Sequence, residues 1–265
     1  MGNRNILKEK KKIVVKVGTS TLTFRNGRLN FQRIERLVQV LSEIQDKGKK
    51  VVLVSSGSIA TGSGRLGLTE KPKDLATKQA LAALGQAELI KIYQKFFENY
   101  NKIAAQVLLT RDVMVFPERN KNARNTLDTL IDMNIIPIIN ENDTISTDEI
   151  VFGDNDTLSA NVATLISADL LIMCSDINGM YSADPKLDAN AEKISTVVEI
   201  TAEIEELAKG AGTSFATGGM VTKISAAKLC MENKIDTVLI NGDNPENILE
   251  VLKGEEIGTH FVAAH

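Results

Sequence analysis

The sequence predicts an α/β fold in which helices cover both faces of a doubly wound, mostly parallel β-sheet. Two observations support this prediction. Short aliphatic runs alternate with helical periods over the whole length of 265 residues. Aromatic residues make up 4% of the chain and Trp is absent, so Ile, Val, Leu and Ala must build the core. Such an aliphatic core is typical of parallel sheets that are buried on both faces.

Six aliphatic runs predict the buried strands of this sheet. They comprise residues 13–15, 51–54, 103–109, 135–139, 170–174 and 237–240. Helical segments separate these runs, and consecutive strands are therefore expected to form βαβ units and to lie parallel. Residues 144–152 interrupt this rhythm with short alternating pieces, which predict a β-hairpin that protrudes from the main sheet.

Helical periods fill the segments between the strands. Residues 75–99 form one long helical pattern, and residues 220–232 form another. A third pattern ends at Gly48 and has apolar residues at i, i+3, i+4, i+7 and i+10. These apolar residues are Ile34, Leu37, Val38, Leu41 and Ile44.

Composition and the absence of linkers predict a single cytoplasmic domain that spans residues 1–265. The net charge of −3 does not suit a nucleic-acid-binding surface. The basic run at residues 8–12 is expected to belong to a flexible, solvated flank of residues 1–11. No apolar stretch suits a secretory signal or a membrane span. Cys174 and Cys230 are expected to be buried, reduced thiols.

Three glycine-containing segments that follow predicted strands or precede a predicted helix are candidates for phosphate binding. They are residues 16–20, 55–64 and 218–223, and the first and the last contain a lysine. Backbone N–H groups at such turns, together with an ammonium group, can bind an anion. Each segment on its own is also compatible with an ordinary turn or a flexible loop. None of them matches the P-loop or the dinucleotide-binding pattern.

Two polar tetrads flank the predicted hairpin. Residues 140–143 read Asn-Glu-Asn-Asp, and residues 153–156 read Gly-Asp-Asn-Asp. Each tetrad could be turn chemistry, since Asn and Asp favour turns, and Asp156 could be the N-cap of a helix that runs to Ile166. The carboxylates could instead receive a substrate ammonium group or organise lysines around a polyphosphate.

The positions of the histidines argue against a histidine general base. The two histidines, His260 and His265, lie at the C-terminal end of the chain, so a histidine general base in the core is not expected. His/Cys spacing of the kind that ligates metals is absent as well. This residue set suits a nucleophile that is already ionised at neutral pH, such as a carboxylate. Phosphoryl transfer to a carboxylate requires positioning and charge neutralisation, and it needs no strong base.

Six segments in a fixed order resemble those of the amino-acid kinase family, and within it those of the glutamate 5-kinases. The resemblance extends from Lys12 to about residue 260, which is nearly the whole chain. Any one segment would be weak evidence, whereas the ordered set is specific. The segments are residues 16–20, 55–59, 140–143, 153–156, 175–181 and 217–220.

The resemblance implies a reaction and a set of site residues. The side-chain carboxylate of L-glutamate would be phosphorylated by ATP to γ-glutamyl phosphate, the first step of proline biosynthesis. Lys16 and Lys223 would neutralise the transferring phosphoryl group, and Asp156 would hold both lysines. Mg²⁺ would be carried on the ATP phosphates, with no protein ligand assigned. The expected nucleotide-binding residues are Lys16, Gly18, Ser175, Asp176, Thr217, Gly218, Gly219, Met220 and Lys223, and the expected glutamate-binding residues are Ser56, Gly57, Asp143, Asp154 and Asn155.

The resemblance also implies partners. Proline would inhibit near the glutamate site, glutamate-5-semialdehyde dehydrogenase would act downstream, and the enzyme would form a homo-oligomer. A C-terminal PUA domain, present in many members, is not expected within these residues, and neither nucleic acid nor membrane is an expected partner. One alternative is a sister kinase of the same fold that acts on acetylglutamate, aspartate, carbamate or UMP. Another is a non-catalytic sensor, which would be expected to lose one of the two lysines or Asp156.

Overall fold

An eight-stranded β-sheet forms the centre of the molecule. The structure is a computed structural model that describes residues 4–24, 28–68, 70, 72–146, 155–183, 188, 190–210 and 219–264. The described strands are β1 (Lys12–Val17), β2 (Lys50–Ser55), β3 (Ala104–Leu109), β4 (Ile136–Glu141), β5 (Leu170–Ser175), β6 (Met180–Tyr181), β7 (Lys193–Ile194), β8 (Thr196–Val197), β9 (Asp236–Asn241) and β10 (Thr259–Phe261). Their order in the sheet is β3-β4-β2-β1-β5-β9-β10-β8.

The sheet is mostly parallel, as the alternation of strands and helices predicted. Strands β3, β4, β2, β1, β5 and β9 pair in parallel, and β10 pairs antiparallel with β9. Lys16 of β1 lies opposite Val54 of β2 on one side and Met173 of β5 on the other. This pairing places β1 between the two halves of the sheet and confirms the doubly wound arrangement.

Helices lie on both faces of the sheet. The described residues include two short 3₁₀ helices, Arg4–Glu9 and Arg111–Met114. The described α-helices are α1 (Thr19–Leu22), α2 (Phe31–Asp46), α3 (Ser58–Arg65), α4 (Leu75–Glu98), α5 (Pro117–Asp132), α6 (Asn155–Leu165), α7 (Ala202–Gly210), α8 (Met220–Glu232) and α9 (Asn247–Leu252).

The alternation of side chains along β1 determines which residues meet which helices. Ile13 and Val15 belong to a core cluster with residues of α2, α4 and α9. Val14 belongs to a second core cluster with residues of α5, α6 and α8. Side chains two residues apart in a strand share a face. Lys16 is therefore directed to the same face as Val14, where α6 and α8 pack.

The N-terminal segment is packed against the body of the protein, and the prediction of a flexible flank over residues 1–11 is wrong for residues 4–11. Leu7 is fully buried, and Lys10 is also buried. The Arg4 guanidinium donates hydrogen bonds to the carbonyl oxygens of Ser195 and Ile257, both at 2.5 Å. These bonds tie the start of the chain to two distant segments.

His260 also departs from its prediction, because it is buried within β10. Its Nε2 lies 2.9 Å from Oδ1 of Asp236, whose other oxygen lies 2.5 Å from Lys10 Nζ. A C-terminal position in the sequence did not keep this histidine out of the core, since β10 folds back beside β9.

Other predictions concern the hairpin, the cysteines and membrane spans. Most of the hairpin predicted over residues 144–152 lies outside the described residues; the small two-stranded antiparallel sheet that the structure does describe is formed by β6 and β7. Cys174 and Cys230 are free and buried, as predicted. Among the described helices, none has the length and apolar character needed to span a membrane.

Candidate active site

The candidate site lies where β1, β2, β4 and β5 end. After β1 the chain builds β2, β3 and β4 on one side, and it then returns to place β5 on the other side of β1. Open α/β sheets bind ligands outside the carboxyl ends of the strands at such a switch point. Residues from these strand ends, together with α6 and α8, form the two clusters described below.

A buried ion cluster joins Lys16, Asp156 and Lys223, and we call it the carboxyl-end triad. Lys16 Nζ lies 2.7 Å from Asp156 Oδ1, and Lys223 Nζ lies 3.1 Å from Asp156 Oδ2. The hydroxyl of Thr222 donates to the same Oδ2 at 2.9 Å. All three members of the triad are at most 7% exposed. One carboxylate therefore holds two ammonium groups in a fixed position.

Three elements position the triad. Lys16 lies near the end of β1, and Lys223 lies in the first turn of α8. Asp156 lies in the first turn of α6, which begins at Asn155, so the prediction that Asp156 caps this helix from outside is corrected. A carboxylate in the first helical turn is favoured by the positive end of the helix dipole.

The neighbouring ammonium groups determine the ionisation state of the Asp156 carboxyl group. Burial acts to raise the pKa of its carboxyl group, but the ammonium groups of Lys16 and Lys223 together outweigh burial and lower that pKa below its ordinary value. The carboxylate is thus ionised at neutral pH and balances one of the two lysines. The triad places two ammonium groups beside one carboxylate in a buried location, an arrangement that suits an anionic ligand.

Glycines leave space beside the triad. Gly18 follows β1, and a Cβ atom there would lie 3.7 Å from Lys16 Nζ. Gly219 precedes α8 and provides no side chain to cap the N-terminus of that helix. The positive end of α8 and the Lys223 ammonium thus face the same region, as in many anion sites.

A second cluster, the acceptor subsite, consists of Ser56, Gly57, Ser58, Asp143 and Asn155. Asn155 Nδ2 donates to Ser56 Oγ at 2.7 Å, and Ser58 Oγ donates to Asp143 Oδ2 at 3.1 Å. Gly57 has a φ of +102° at the start of α3, a conformation that side-chain-bearing residues rarely adopt. This turn directs Ser56 and Ser58 towards residues that follow β4.

Two buried acceptor atoms in this subsite have no hydrogen-bond partner among the described residues: Oδ1 of Asn155 and Oδ1 of Asp143. Burial raises the pKa of Asp143 to about 6, with Ser58 opposing and Glu141 adding to the increase. Buried acceptors of this kind normally have a donor. A ligand N–H group would satisfy each of these atoms.

Ser175, Asp176 and Met220 are predicted nucleotide-binding residues that the structure describes. Ser175 ends β5 and donates to Oδ1 of the exposed Asp176 at 3.1 Å. Met220, half-buried, begins α8. Three further predicted site residues lie outside the described part of the chain: Asp154, Thr217 and Gly218.

Four further residues contact the clusters: Ser58, Asn140 and Thr222 lie within the predicted segments 55–64, 140–143 and 218–223, whereas Gln86 was not predicted. Ser58 and Thr222 bind the carboxylates of Asp143 and Asp156. Asn140 and Gln86 form hydrogen bonds behind Asn155. Gln86 carried a usable signal, since it lies on the face of α4 that is otherwise buried and mostly apolar.

Residues 11–241 match the model of the amino acid kinase family. The chain belongs to this family. A glutamate 5-kinase from Clostridium perfringens (strain 13 / Type A) is 55% identical over 264 residues, which cover 98% of each chain. A glutamate 5-kinase from Listeria monocytogenes serotype 4a is 50% identical over 98% of this chain and 96% of its own.

Solved amino acid kinase folds resemble the structure as well. Carbamate kinase from Giardia lamblia bound to AMP-PNP has a TM-score of 0.67 at 14% identity, over 97% of this chain and 100% of its own. UMP kinase from Ureaplasma parvum has a TM-score of 0.64 at 19% identity, over 96% of this chain and 99% of its own. At these identities the likeness concerns the fold alone.

Proposed function

We propose that the protein is a glutamate 5-kinase, which transfers the γ-phosphoryl group of ATP to the side-chain carboxylate of L-glutamate and yields γ-glutamyl phosphate and ADP. The observation that carries the proposal is the pairing of two clusters. A triad of two lysines and one aspartate lies at the same strand ends as a subsite whose two buried acceptor atoms have no partner among the described residues. The relatives named glutamate 5-kinase at 55% and 50% identity support it further.

The carboxyl-end triad fits a transferring phosphoryl group. ATP, with Mg²⁺ on its phosphates, supplies this group when bound. Lys16 and Lys223 neutralise negative charge that develops during transfer, and Asp156 keeps their ammonium groups in place before the substrates arrive. Because the acceptor carboxylate is ionised at neutral pH, no residue has to remove a proton from it.

The acceptor subsite fits the amino-acid end of glutamate. Asp143 Oδ1 and Asn155 Oδ1 accept from the α-ammonium group, which satisfies two otherwise unpartnered atoms. Ser56 and Gly57 line the same turn, and we propose Asp154 as a further contributor. On the nucleotide side we propose Gly18, Ser175, Asp176, Gly219 and Met220, with Thr217 and Gly218 beside them.

The subsite favours glutamate over several acceptors of sister kinases. UMP, carbamate and N-acetylglutamate have no free ammonium group for Asp143 and Asn155. The intact triad favours an enzyme over a non-catalytic sensor. The resemblance further supports a single cytoplasmic kinase domain that forms a homo-oligomer, is inhibited by proline, and supplies γ-glutamyl phosphate to glutamate-5-semialdehyde dehydrogenase.

A panel of acceptors tests the proposal. Purified protein with ATP and Mg²⁺ is given L-glutamate, L-aspartate, N-acetylglutamate or UMP, and ADP release is measured while hydroxylamine traps acyl phosphates as hydroxamates. We expect ADP and hydroxamate in equal amounts with L-glutamate and little of either with the other acceptors. Faster ADP release with another acceptor would identify that acceptor, instead of L-glutamate, as the substrate. If no acceptor gives ADP, the non-catalytic sensor becomes the favoured function.

A further inference from the structure

Three buried side-chain amides form a row behind the acceptor subsite. Gln86 comes from α4, Asn140 from β4 and Asn155 from the start of α6, and all are at most 9% exposed. Asn140 Nδ2 donates to Gln86 Oε1 at 2.7 Å, and Asn155 Nδ2 donates to Asn140 Oδ1 at 3.1 Å. The proposed reaction uses Asn155 and leaves Gln86 and Asn140 without a role.

One backbone N–H group determines which end of each amide in this row is the oxygen and which is the NH₂ group. The backbone N–H of Glu141 donates to Asn140 Oδ1 at 2.9 Å. Because an N–H can only donate, the atom that faces it must be the amide oxygen of Asn140, which settles the orientation of that side chain. Asn155 must then use its NH₂ group towards Asn140, and Ser56 Oγ accepts from the same NH₂ at 2.7 Å.

The orientation of Asn155 follows from its neighbours. With its NH₂ group bound to Asn140 and Ser56, Asn155 leaves its Oδ1 as the atom without a partner in the described structure. The opposite orientation would place two N–H donors beside a substrate ammonium group and would remove an acceptor from it. The difference between an acceptor and a donor at this point decides whether the subsite binds a cation.

We propose that Asn140, supported by Gln86, is a positioning residue that orients the Asn155 amide oxygen towards the substrate and so makes the subsite selective for an α-ammonium group. This inference rests on the proposed function, since it concerns how the acceptor is chosen. Neither Asn140 nor Gln86 contacts the substrate in this arrangement; both act through Asn155.

Helix packing joins Gln86 to the same subsite. A Cβ atom at Gly85 would overlap the carbonyl oxygen of Ser58, and one at Gly62 would overlap the carbonyl oxygen of Leu81. The backbones of α3 and α4 are therefore in direct contact, and only glycine permits this approach. Gln86, the residue after Gly85, is held at a fixed distance from the turn that carries Ser56 and Ser58.

The experiment compares L-glutamate with glutarate, which has both carboxylates but no amino group. Hydroxamate formation from radiolabelled glutamate gives kcat and KM, and added unlabelled glutarate gives its inhibition constant. Asn140→Leu removes the hydrogen-bond acceptor of the Asn155 NH₂ group, and Gln86→Met removes the acceptor of the Asn140 NH₂ group. Gln86→Glu keeps an acceptor oxygen for Asn140 in either protonation state. Gln45→Met is the matched control, because Gln45 is also a buried helical glutamine but donates to Asn134 away from the site.

We expect kcat/KM for L-glutamate to fall about 10- to 100-fold in Asn140→Leu, the range for a lost hydrogen bond to a charged group. The inhibition constant of glutarate and the KM for ATP should stay unchanged. Gln86→Met should show the same selective loss to a smaller degree, because the Glu141 N–H still holds Asn140. Gln86→Glu and Gln45→Met should keep the wild-type preference for glutamate over glutarate.

Other outcomes overturn the inference in distinguishable ways. Equal losses for glutamate and glutarate, in Asn140→Leu or in Gln86→Met, would show a general structural role. Unchanged selectivity in Gln86→Met alongside a lower melting temperature would show that Gln86 matters only for stability. If Asn140→Leu does not fold, the glutamate selectivity of Gln86→Met compared with that of Gln86→Glu tests the inference. Absence of glutamate phosphorylation by the wild type would overturn the proposed function itself, and the inference with it.

Discussion

Two buried ion clusters lie at opposite ends of the same sheet, and they differ in what surrounds their carboxylates. The carboxyl-end triad joins Lys16, Asp156 and Lys223, whereas the amino-end cluster joins Lys10, Asp236 and His260. Asp236 begins β9 and pairs with Leu170, while the strand ends near the triad lie five residues further on. At a rise of about 3.3 Å per residue, that spacing corresponds to about 16 Å.

The amino-end cluster is closed by the protein's own groups. Asp236 accepts from the backbone N–H of Ala263 at 3.2 Å, in addition to its contacts with Lys10 and His260. Burial acts to raise the pKa of Asp236, but His260, Lys10 and this N–H together lower that pKa well below its ordinary value. The cluster joins the N-terminal segment, β9 and the C-terminal strand.

A buried lysine–aspartate pair does not by itself indicate an active site. In the amino-end cluster one ammonium group, that of Lys10, pairs with one carboxylate, that of Asp236. The carboxyl-end triad has two lysines for one carboxylate and lies beside glycines at the strand ends. Two ammonium groups held at this place can neutralise the negative charge of a phosphoryl group.

Removing one lysine of the triad should give the largest effect on activity. We expect Lys223→Met to lower kcat about 10²- to 10³-fold, as the loss of one group that stabilises transition-state charge typically does. Asp156 keeps Lys16 and Thr222 as partners, so the variant should remain folded. Steady-state hydroxamate formation and circular dichroism check both points, and a kcat within a few-fold of wild type would refute the role of Lys223.

Removing the lysine of the amino-end cluster should give the largest effect on stability. Lys10→Met leaves Asp236 buried without its ammonium partner, and we expect a loss of about 3–5 kcal/mol in the free energy of unfolding. The kcat of the folded protein should be unchanged. Denaturant unfolding gives the free energy, and activity is assayed well below the melting temperature. An unchanged midpoint would show that the cluster does not stabilise the fold.

The acceptor subsite should respond to pH in a way that the amino-end cluster does not. Because the pKa of Asp143 is raised to about 6, the carboxyl group is protonated below that pH and cannot pair with an ammonium group. We expect the KM for glutamate to fall about tenfold between about pH 5 and about pH 7, while the KM for ATP does not show this change. Asp143→Asn should raise the KM and remove this pH dependence.

The smallest effect concerns two glycines with positive φ at opposite ends of β2. Gly57→Ala and Gly48→Ala should each cost about 1–2 kcal/mol of stability, because alanine is strained in the left-handed region. Only Gly57→Ala should also raise the KM for glutamate, since it displaces Ser56 and Ser58. Equal KM values in the two variants would show that the Gly57 turn does not shape the subsite.

The sequence predicted the local features of the fold and several of the residues that meet at one edge of the sheet. Aliphatic runs identified the main strands, and residues after β1, β2 and β4 met because parallel strands end at one edge. Periodicity also predicted α2, α4 and α8 with small differences at their ends.

Contacts between residues that are far apart in the chain could not be predicted from the sequence. Lys10 and His260 are separated by nearly the whole chain, and no local pattern indicates that both meet Asp236. Lys8, Glu9 and Lys11 of the basic run are exposed, as predicted, whereas the burial of Lys10 and the bonds from Arg4 to the carbonyl groups of Ser195 and Ile257 were not predicted. The row from Gln86 to Asn155 likewise depends on how α4 packs against α3.

The most direct test of the proposed chemistry measures γ-glutamyl hydroxamate formation with ATP, Mg²⁺ and L-glutamate for the wild type, Lys223→Met and Lys10→Met at one temperature at which all three are folded. We predict equal kcat for wild type and Lys10→Met, and a value about 10²- to 10³-fold lower for Lys223→Met. Wild-type activity in Lys223→Met, or an equal loss in both variants, would contradict the assignment of the carboxyl-end triad as the catalytic cluster.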